Sequence, residues 1–279
     1  MNKADTAMQE LLKVMALLRD KDKGCPWDIK QDFQSIAPHT LEEVYEVIDC
    51  IEREDYQHLP EELGDLLFQV VFYTQMASEV GMFSFEDVCK AITRKLLTRH
   101  PHVFPDASID SFGRQSDLSP EQVEARWEEI KQQERLQKGQ KAESSLLEDV
   151  PQALPALLRA RKLQGRAASG GFDWDQTDDV VAKLKEEVAE LEAALQEDDR
   201  KHIEEEFGDM LFSMVNLARH LKLNPESSLR AANSKFSARF RCMEKLIEED
   251  RQDLQSMNLQ EMEKYWQKAK HKLSGSVSV

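Results

Sequence analysis

The chain has 279 residues, with 37 Lys and Arg against 53 Asp and Glu, a formal net charge of −16, and only 10 Gly and 9 Pro. Such a charge argues against a nucleic-acid or anionic membrane surface as a partner. No apolar run approaches the ~20 residues of a membrane span, and the first 23 residues lack the apolar stretch of a secretory signal.

Scarce Gly and Pro with abundant Leu, Glu, Lys, Gln and Ala predict long helices and few tight turns. Taken in chain order, residues 40–54 carry Leu41, Val44, Val47, Ile48 and Ile51 at helical spacing. A second helix covers 61–80, with Gly81 as its stop. A third covers 85–99 and yields to an extended His100–Phe104, because Pro101 disfavours helix at His100. Residues 105–120 read as a loop, and Ser119 caps a fourth helix that has Pro120 at its first position and ends near Gln137. Further helices fall near 178–197, 201–221, 226–250 and 258–272. No segment alternates as a strand would. Cys25, Cys50, Cys89 and Cys242 form no CxxC pair, which predicts free thiols and a cytoplasmic location.

The order of landmarks repeats. Cys25-Pro-Trp27-Asp28 answers to Phe172-Asp-Trp174-Asp175, and Glu42-Glu-Val-Tyr-Glu46 to Glu186-Glu-Val-Ala-Glu190. Glu62-Leu-Gly-Asp65 answers to Glu206-Phe-Gly-Asp209, and 19 residues separate Glu43 from Glu62 and Glu187 from Glu206. Lys95 and Arg99 answer to Lys235 and Arg239, and Trp127 with Lys131 to Trp266 with Lys270. The expected organisation is all-α: two tandem antiparallel helix bundles over 8–137 and 150–272, joined by a polar linker at 138–149.

Glu187 and Glu190 are three apart on one helix, as are Glu206 and Asp209 on the next. Each pair therefore shares a helix face. A short polar turn at Asp198 and Asp199 makes the helices antiparallel neighbours, so the two pairs can face each other. Glu43, Glu46, Glu62 and Asp65 repeat the pattern in the first unit, with Glu42 and Glu186 as fifth acids. Such a cluster needs cations, and all-oxygen ligation suits Mg²⁺ first and Mn²⁺ next. Di-iron bundles use Glu-x-x-His pairs, which are not the pattern here. Asp65 and Asp209 sit in otherwise apolar stretches, where a merely solvated charge is out of place. Thr40, three before Glu43, makes a capping box an alternative role for that Glu.

The basic pairs Lys95/Arg99 and Lys235/Arg239 each lie one turn apart and suit phosphate oxygens. Lys183 lies one turn before Glu187 and can reach its site. Trp27 and Trp174 read as structural caps on the helices that follow. No glycine-rich phosphate loop is present, and no nucleophile–histidine arrangement stands out.

The doubled EExxE and ExxD motifs, with Arg99-His-Pro-His-Val-Phe104, Gly24-Cys-Pro-Trp-Asp28 and Asn216-Leu-Ala-Arg-His220, resemble the MazG-type nucleoside triphosphate pyrophosphohydrolases. The resemblance covers nearly the whole chain. It implies Mg²⁺-dependent hydrolysis of (d)NTPs, ATP among them, to the monophosphate and pyrophosphate, by a homodimer. Glu187, Glu190, Glu206 and Asp209 would hold the metal, and Glu186 would take the proton of the attacking water. Lys235 and Arg239 would hold phosphates, with Lys183 and Lys270 nearby and Trp266 on the base or ribose. Glu205, Asn216 and Asn233 complete the expected nucleotide-binding set. Phe72 and Thr93 stand in the first unit where the second has Asn216 and Asn233, which favours the second unit as the main hydrolase. A narrower substrate, such as dUTP or phosphoribosyl-ATP, and a non-catalytic dimeric scaffold are the alternatives.

Overall fold

A computed structural model describes residues 3–113, 118–137, 145–148 and 150–274. Most of the expected linker, part of the 105–120 loop, the side chain of Lys131 and the last five residues lie outside the described residues. The chain divides into two compact units, Met1–Gly139 and Gln140–Val279. Among the described residues there is no strand, and no helix is long and apolar enough to cross a membrane.

The first unit runs through α1 (Lys3–Leu18), α2 (Pro26–Lys30), α3 (Phe33–Glu52), α4 (Leu59–Glu79), α5 (Phe85–Arg99) and α6 (Pro120–Gln137). Helix α4 is its centre and packs against α1, α3 and α5. Met15, Ile36, Val71, Phe72 and Met76 form the buried core. Gly81 ends α4 as the sequence suggests: at φ 70° it lets its own N–H bond Ser78 O and the Met82 N–H bond Ala77 O, which closes the last turn. Ser119 and Gln122 cap α6 reciprocally.

Helix α3 begins seven residues earlier than its periodicity predicts. Asp32 and Ser35 form the capping box, and Pro38 is accommodated in the second turn. Thr40 is consequently inside the helix, where its hydroxyl bonds Ile36 O and Tyr73 Oη. The Thr40–Glu43 capping box is thereby excluded, which leaves Glu43 for the cluster.

The second unit runs through α7 (Ala156–Ser169), α8 (Thr177–Glu197), α9 (Arg200–His220), α10 (Pro225–Glu249) and α11 (Leu259–Ser274). Helix α9 is central, against α7, α8 and α10, while α11 packs chiefly on α10. Asp198, left-handed at φ 55°, ends α8, and the Asp199 side chain caps α9 by accepting from Lys201 N. This two-residue turn reverses the chain and sets α8 along α9.

Candidate metal and nucleotide site

The α8–α9 turn brings Glu187, Glu190 and Glu206 together, each offering an oxygen within 4.8 Å of the others. Glu187 is buried and Glu190 exposed. Asp209, one turn on from Glu206, is exposed and stands outside this group of three. In the first unit the group is Glu43, Glu62 and Asp65, with Glu46 against Glu43. The two units thus use the repeated spacing slightly differently, and in both the acids come from adjacent helices.

The electrostatics are those of acids held close without full compensation. Partial desolvation against its neighbours raises the Glu190 pKa from its ordinary value, opposed by Lys183 and supported by Glu187, Glu186 and Glu206. Burial likewise raises Glu43 and Glu62, and Asp65 and Glu46 add to both. Lys183 is drawn into the cluster, with Nζ 2.7 Å from Glu186 and 3.0 Å from Glu187, and these contacts raise its ammonium pKa. His39 takes the corresponding place in the first unit, 3.6 Å from Glu42.

Other expected residues are distributed more widely. Glu205 is exposed on α9, and Asn233 and Lys235 are exposed on α10. Arg239 is half-buried on the same helix. Among the described residues these side chains, and Lys270 on α11, make no hydrogen bond or ion pair with the carboxylates. Trp266 packs with Phe236, ring centroids 5.4 Å apart, on the buried cluster of Met243, Ile247 and Ala269. Asn216 is buried at 5 % exposure and accepts from Arg219 Nε at 3.0 Å. In the first unit Arg99 turns to α6 and makes a two-pronged bond to Glu134 at 3.2 and 2.6 Å.

Several side chains near the site escaped the sequence reading. His202 bridges Glu197 at 3.1 Å and Glu206 at 3.2 Å, and the Glu197 bond first, with Glu206 behind it, raises its pKa. Its signal was present: His58 stands four residues before Glu62 as His202 does before Glu206. Gln69, which is buried, donates to Glu43 at 3.2 Å. The tryptophans are not helix caps. Asp32 caps α3, and Gln176 precedes α8 with no side-chain cap. Trp27 instead meets the rings of His39 and Phe72 edge-on.

A model of the MazG nucleotide pyrophosphohydrolase domain matches twice, over residues 31–104 and 176–252. The chain belongs to the MazG nucleotide pyrophosphohydrolase family. Both matched segments contain one carboxylate group complete. The nucleoside triphosphate pyrophosphohydrolase of Escherichia coli K12 is 49% identical over 265 residues, 94% of this chain and 97% of the relative. The nucleoside triphosphate pyrophosphohydrolase/pyrophosphatase MazG of Thermotoga maritima is 43% identical over 270 residues, covering 97% and 98% of the two chains. A nucleoside triphosphate pyrophosphohydrolase of Mycolicibacterium smegmatis is 36% identical over 166 residues, 59% of this chain and 48% of that protein. As a MazG-family chain, this protein is a hydrolase of phosphoanhydride bonds.

Proposed function

We propose that the chain hydrolyses (d)NTPs, including ATP, to (d)NMP and pyrophosphate, with Mg²⁺ held in the second unit. The observation that carries this reading is the convergence of Glu187, Glu190 and Glu206 within 4.8 Å beside Lys183. Three carboxylates with one buried member fit a hard divalent cation, and Mn²⁺ shares that preference. Asp209, one turn on along α9 and outside that group of three, is the fourth donor this reading would recruit. A bound ion would acidify the attacking water and offset charge on the departing pyrophosphate.

The chain's own residues supply the rest. Glu186 is exposed beside Glu187 and would accept the water's proton, while Lys183 holds Glu186 and Glu187 in place. Lys235 and Arg239 lie one turn apart on α10 and suit phosphate oxygens. The first unit keeps a cation site but ties Arg99 to Glu134, which withdraws its phosphate-binding fork. We therefore assign nucleotide turnover to the second unit.

A homodimer accompanies this reading. Phe207, Leu211 and Met214 are 49 %, 39 % and 50 % exposed along one face of α9, an apolar stripe suited to a partner helix. The free thiols of all four cysteines fit a cytoplasmic location. Product analysis tests the proposal: (d)NMP with pyrophosphate is expected from a panel of NTPs, and NDP with phosphate would refute it. Turnover of dUTP or phosphoribosyl-ATP alone would narrow the substrate. Failure of any substrate to react, with no Mg²⁺ effect on stability, would favour the scaffold.

A further inference from the structure

The two groups of three acids are compensated differently. In the second unit Lys183 lies 3.0 Å from Glu187 and His202 lies 3.2 Å from Glu206, so two of the three already face a basic side chain. In the first unit Glu43, Glu62 and Asp65 come within the same 4.8 Å, and among the described residues none of them forms an ion pair. The histidines nearby are turned elsewhere. His39 lies against Glu42, and His58 is 2.9 Å from Asp55. The three carboxylates of the first unit therefore repel one another across the α3–α4 contact with no side-chain cation to offset them.

Gln69 adds an unpaired acceptor to this group. It follows Glu62 by seven residues and Asp65 by four, so the three share one face of α4. Gln69 is only 5 % exposed, and its Nε2 donates to Glu43 Oε1 at 3.2 Å, which sets the amide against the acids. Its Oε1 is buried and has no hydrogen-bond partner in the protein. A buried carbonyl left unpaired costs stability. Beside three carboxylates, a hard divalent cation is the partner that satisfies the amide oxygen and the acids together. The second unit has no such group, because Ser213, with a shorter side chain, stands four residues after Asp209.

The donor set also bears on which ion enters. Mg²⁺ dehydrates reluctantly and is held by one or two carboxylates with substrate phosphates in its shell, whereas Ca²⁺ takes about six to eight oxygens, amide carbonyls among them. We propose that Gln69 completes, with Glu43, Glu62 and Asp65, a protein-only cation site that fills without nucleotide and prefers Ca²⁺ to Mg²⁺. This inference rests on the cation reading of the acid groups and not on the reaction assigned to the second unit. Gln69 acts through both ends of its amide: the N–H₂ holds Glu43, and the carbonyl is offered to the ion. Glu46, against Glu43, is the next acid at hand. The ion ties α3 to α4, the central helix of the unit. The second unit, whose Glu187 and Glu206 already have basic neighbours, takes its ion together with the phosphates of the nucleotide.

Isothermal titration calorimetry on the full chain, freed of metal and nucleotide, tests this with Ca²⁺ and Mg²⁺ as the probes. Wild type should bind one Ca²⁺ per chain about 10-fold or more tightly than Mg²⁺. Glu206→Gln should keep that site, and Glu62→Gln should weaken it by about 10-fold or more. Gln69→Met, close in shape but without the amide, should weaken Ca²⁺ binding by roughly 10-fold, and Gln69→Glu, which returns an oxygen, should restore it to within about threefold of wild type or better. A Gln69 that only packed the helices together would give no such rescue. Gln69→Leu carries the comparison should Gln69→Met not fold. Mg²⁺ bound as tightly as Ca²⁺, a site lost in Glu206→Gln but kept in Glu62→Gln, Gln69→Met at wild-type affinity, or Gln69→Glu no tighter than Gln69→Met overturns the inference. So does wild type with no binding heat and no Ca²⁺ shift of its unfolding midpoint. Mg²⁺-dependent NTP turnover by the same preparation would then leave the hydrolase reading standing, and its absence would remove that reading separately.

Discussion

Neutralising one acid of the cluster should separate a metal site from an ordinary acidic surface, because the two predict opposite signs. Glu187 and Glu206 have side chains only 8 % and 15 % exposed, and their oxygens lie within 4.8 Å. Two unit charges at that separation repel by about 3.5 kcal/mol at an effective dielectric of ~20. Lys183, 3.0 Å from Glu187, and His202, 3.2 Å from Glu206, offset much of this. A net relief on the order of 1 kcal/mol is left for Glu206→Gln, equivalent to about 2–4 °C in the unfolding midpoint. In EDTA the variant should therefore unfold at a higher temperature than wild type.

With Mg²⁺ present the order should invert. A ligand at 100 times its Kd stabilises the native state by about 2.7 kcal/mol, and the variant loses most of that increment with its ligand. Thermal unfolding of both proteins, with EDTA and across an Mg²⁺ titration, gives four midpoints. Pyrophosphate release measured in parallel should fall at least 100-fold in the variant, a loss of about 2.7 kcal/mol in transition-state stabilisation. A variant less stable than wild type in EDTA, or one that keeps the full Mg²⁺ increment, would refute the reasoning.

Glu206→Ala should abolish NTP turnover while Glu62→Ala leaves it within about twofold, since Arg99 is already committed to Glu134; equal losses in a pyrophosphate-release assay would show both units to be active. His202→Ala should weaken Mg²⁺ affinity by roughly 10-fold without changing the products, because the imidazole orients Glu206 from outside the cluster, as read from the Mg²⁺ dependence of the rate. Glu43, Glu62 and Glu190 have raised pKa values in the fold, so the native state binds protons before the unfolded chain does. In the absence of metal, stability should fall as pH rises from about 4.5 through the raised values, and Mg²⁺ protection should appear over the same interval, which calorimetry with and without Mg²⁺ checks. Asp173 has the opposite sign: Arg219 first, and then His220, lower it to about 2, so its contribution is present above its unfolded pKa near 3.8 and is lost as pH falls towards 2. Asp173→Asn should cost on the order of 1–2 kcal/mol at neutral pH, after allowance for solvent screening, and flatten that acid limb in urea titrations.

The carboxylate groups were legible because they depend on local rules. A three-residue spacing fixes the helix face, and a two-residue turn at Asp198 and Asp199 fixes the neighbour. Seven of the eight long helices that periodicity indicates begin and end within two residues of the expected positions. The start of α3 was missed because Pro38 and the polar residues around it hide a turn capped by Asp32 and Ser35. Long-range partners were not legible. Nothing near Arg99 announces Glu134, 35 residues away, and nothing near Asp173 announces Arg219, 46 residues away. The role given to Trp27 failed for the same reason, since its ring packs against His39 of α3 and Phe72 of α4 while Asp32 does the capping.

Those long-range partners are also where the two repeats part company. Both units keep a group of three acids, so the acidic clusters alone do not distinguish them. The difference lies in what surrounds the shared scaffold. Phe72, packed by Trp27 and Phe68, completes a core in the first unit, whereas Asn216 leaves a cavity in the second. Filling a cavity with an aromatic ring adds buried apolar area and stabilises a fold. Each unit keeps a buried glutamine with an unpaired oxygen, Gln69 in the first and Gln164 in the second, and the second adds a buried Asn216 and open volume, all of which cost stability. Such costs are expected where a ligand supplies the missing contacts. The net charge of −16 fits the proposed reading, because two acidic groups that held cations would not repel a nucleotide.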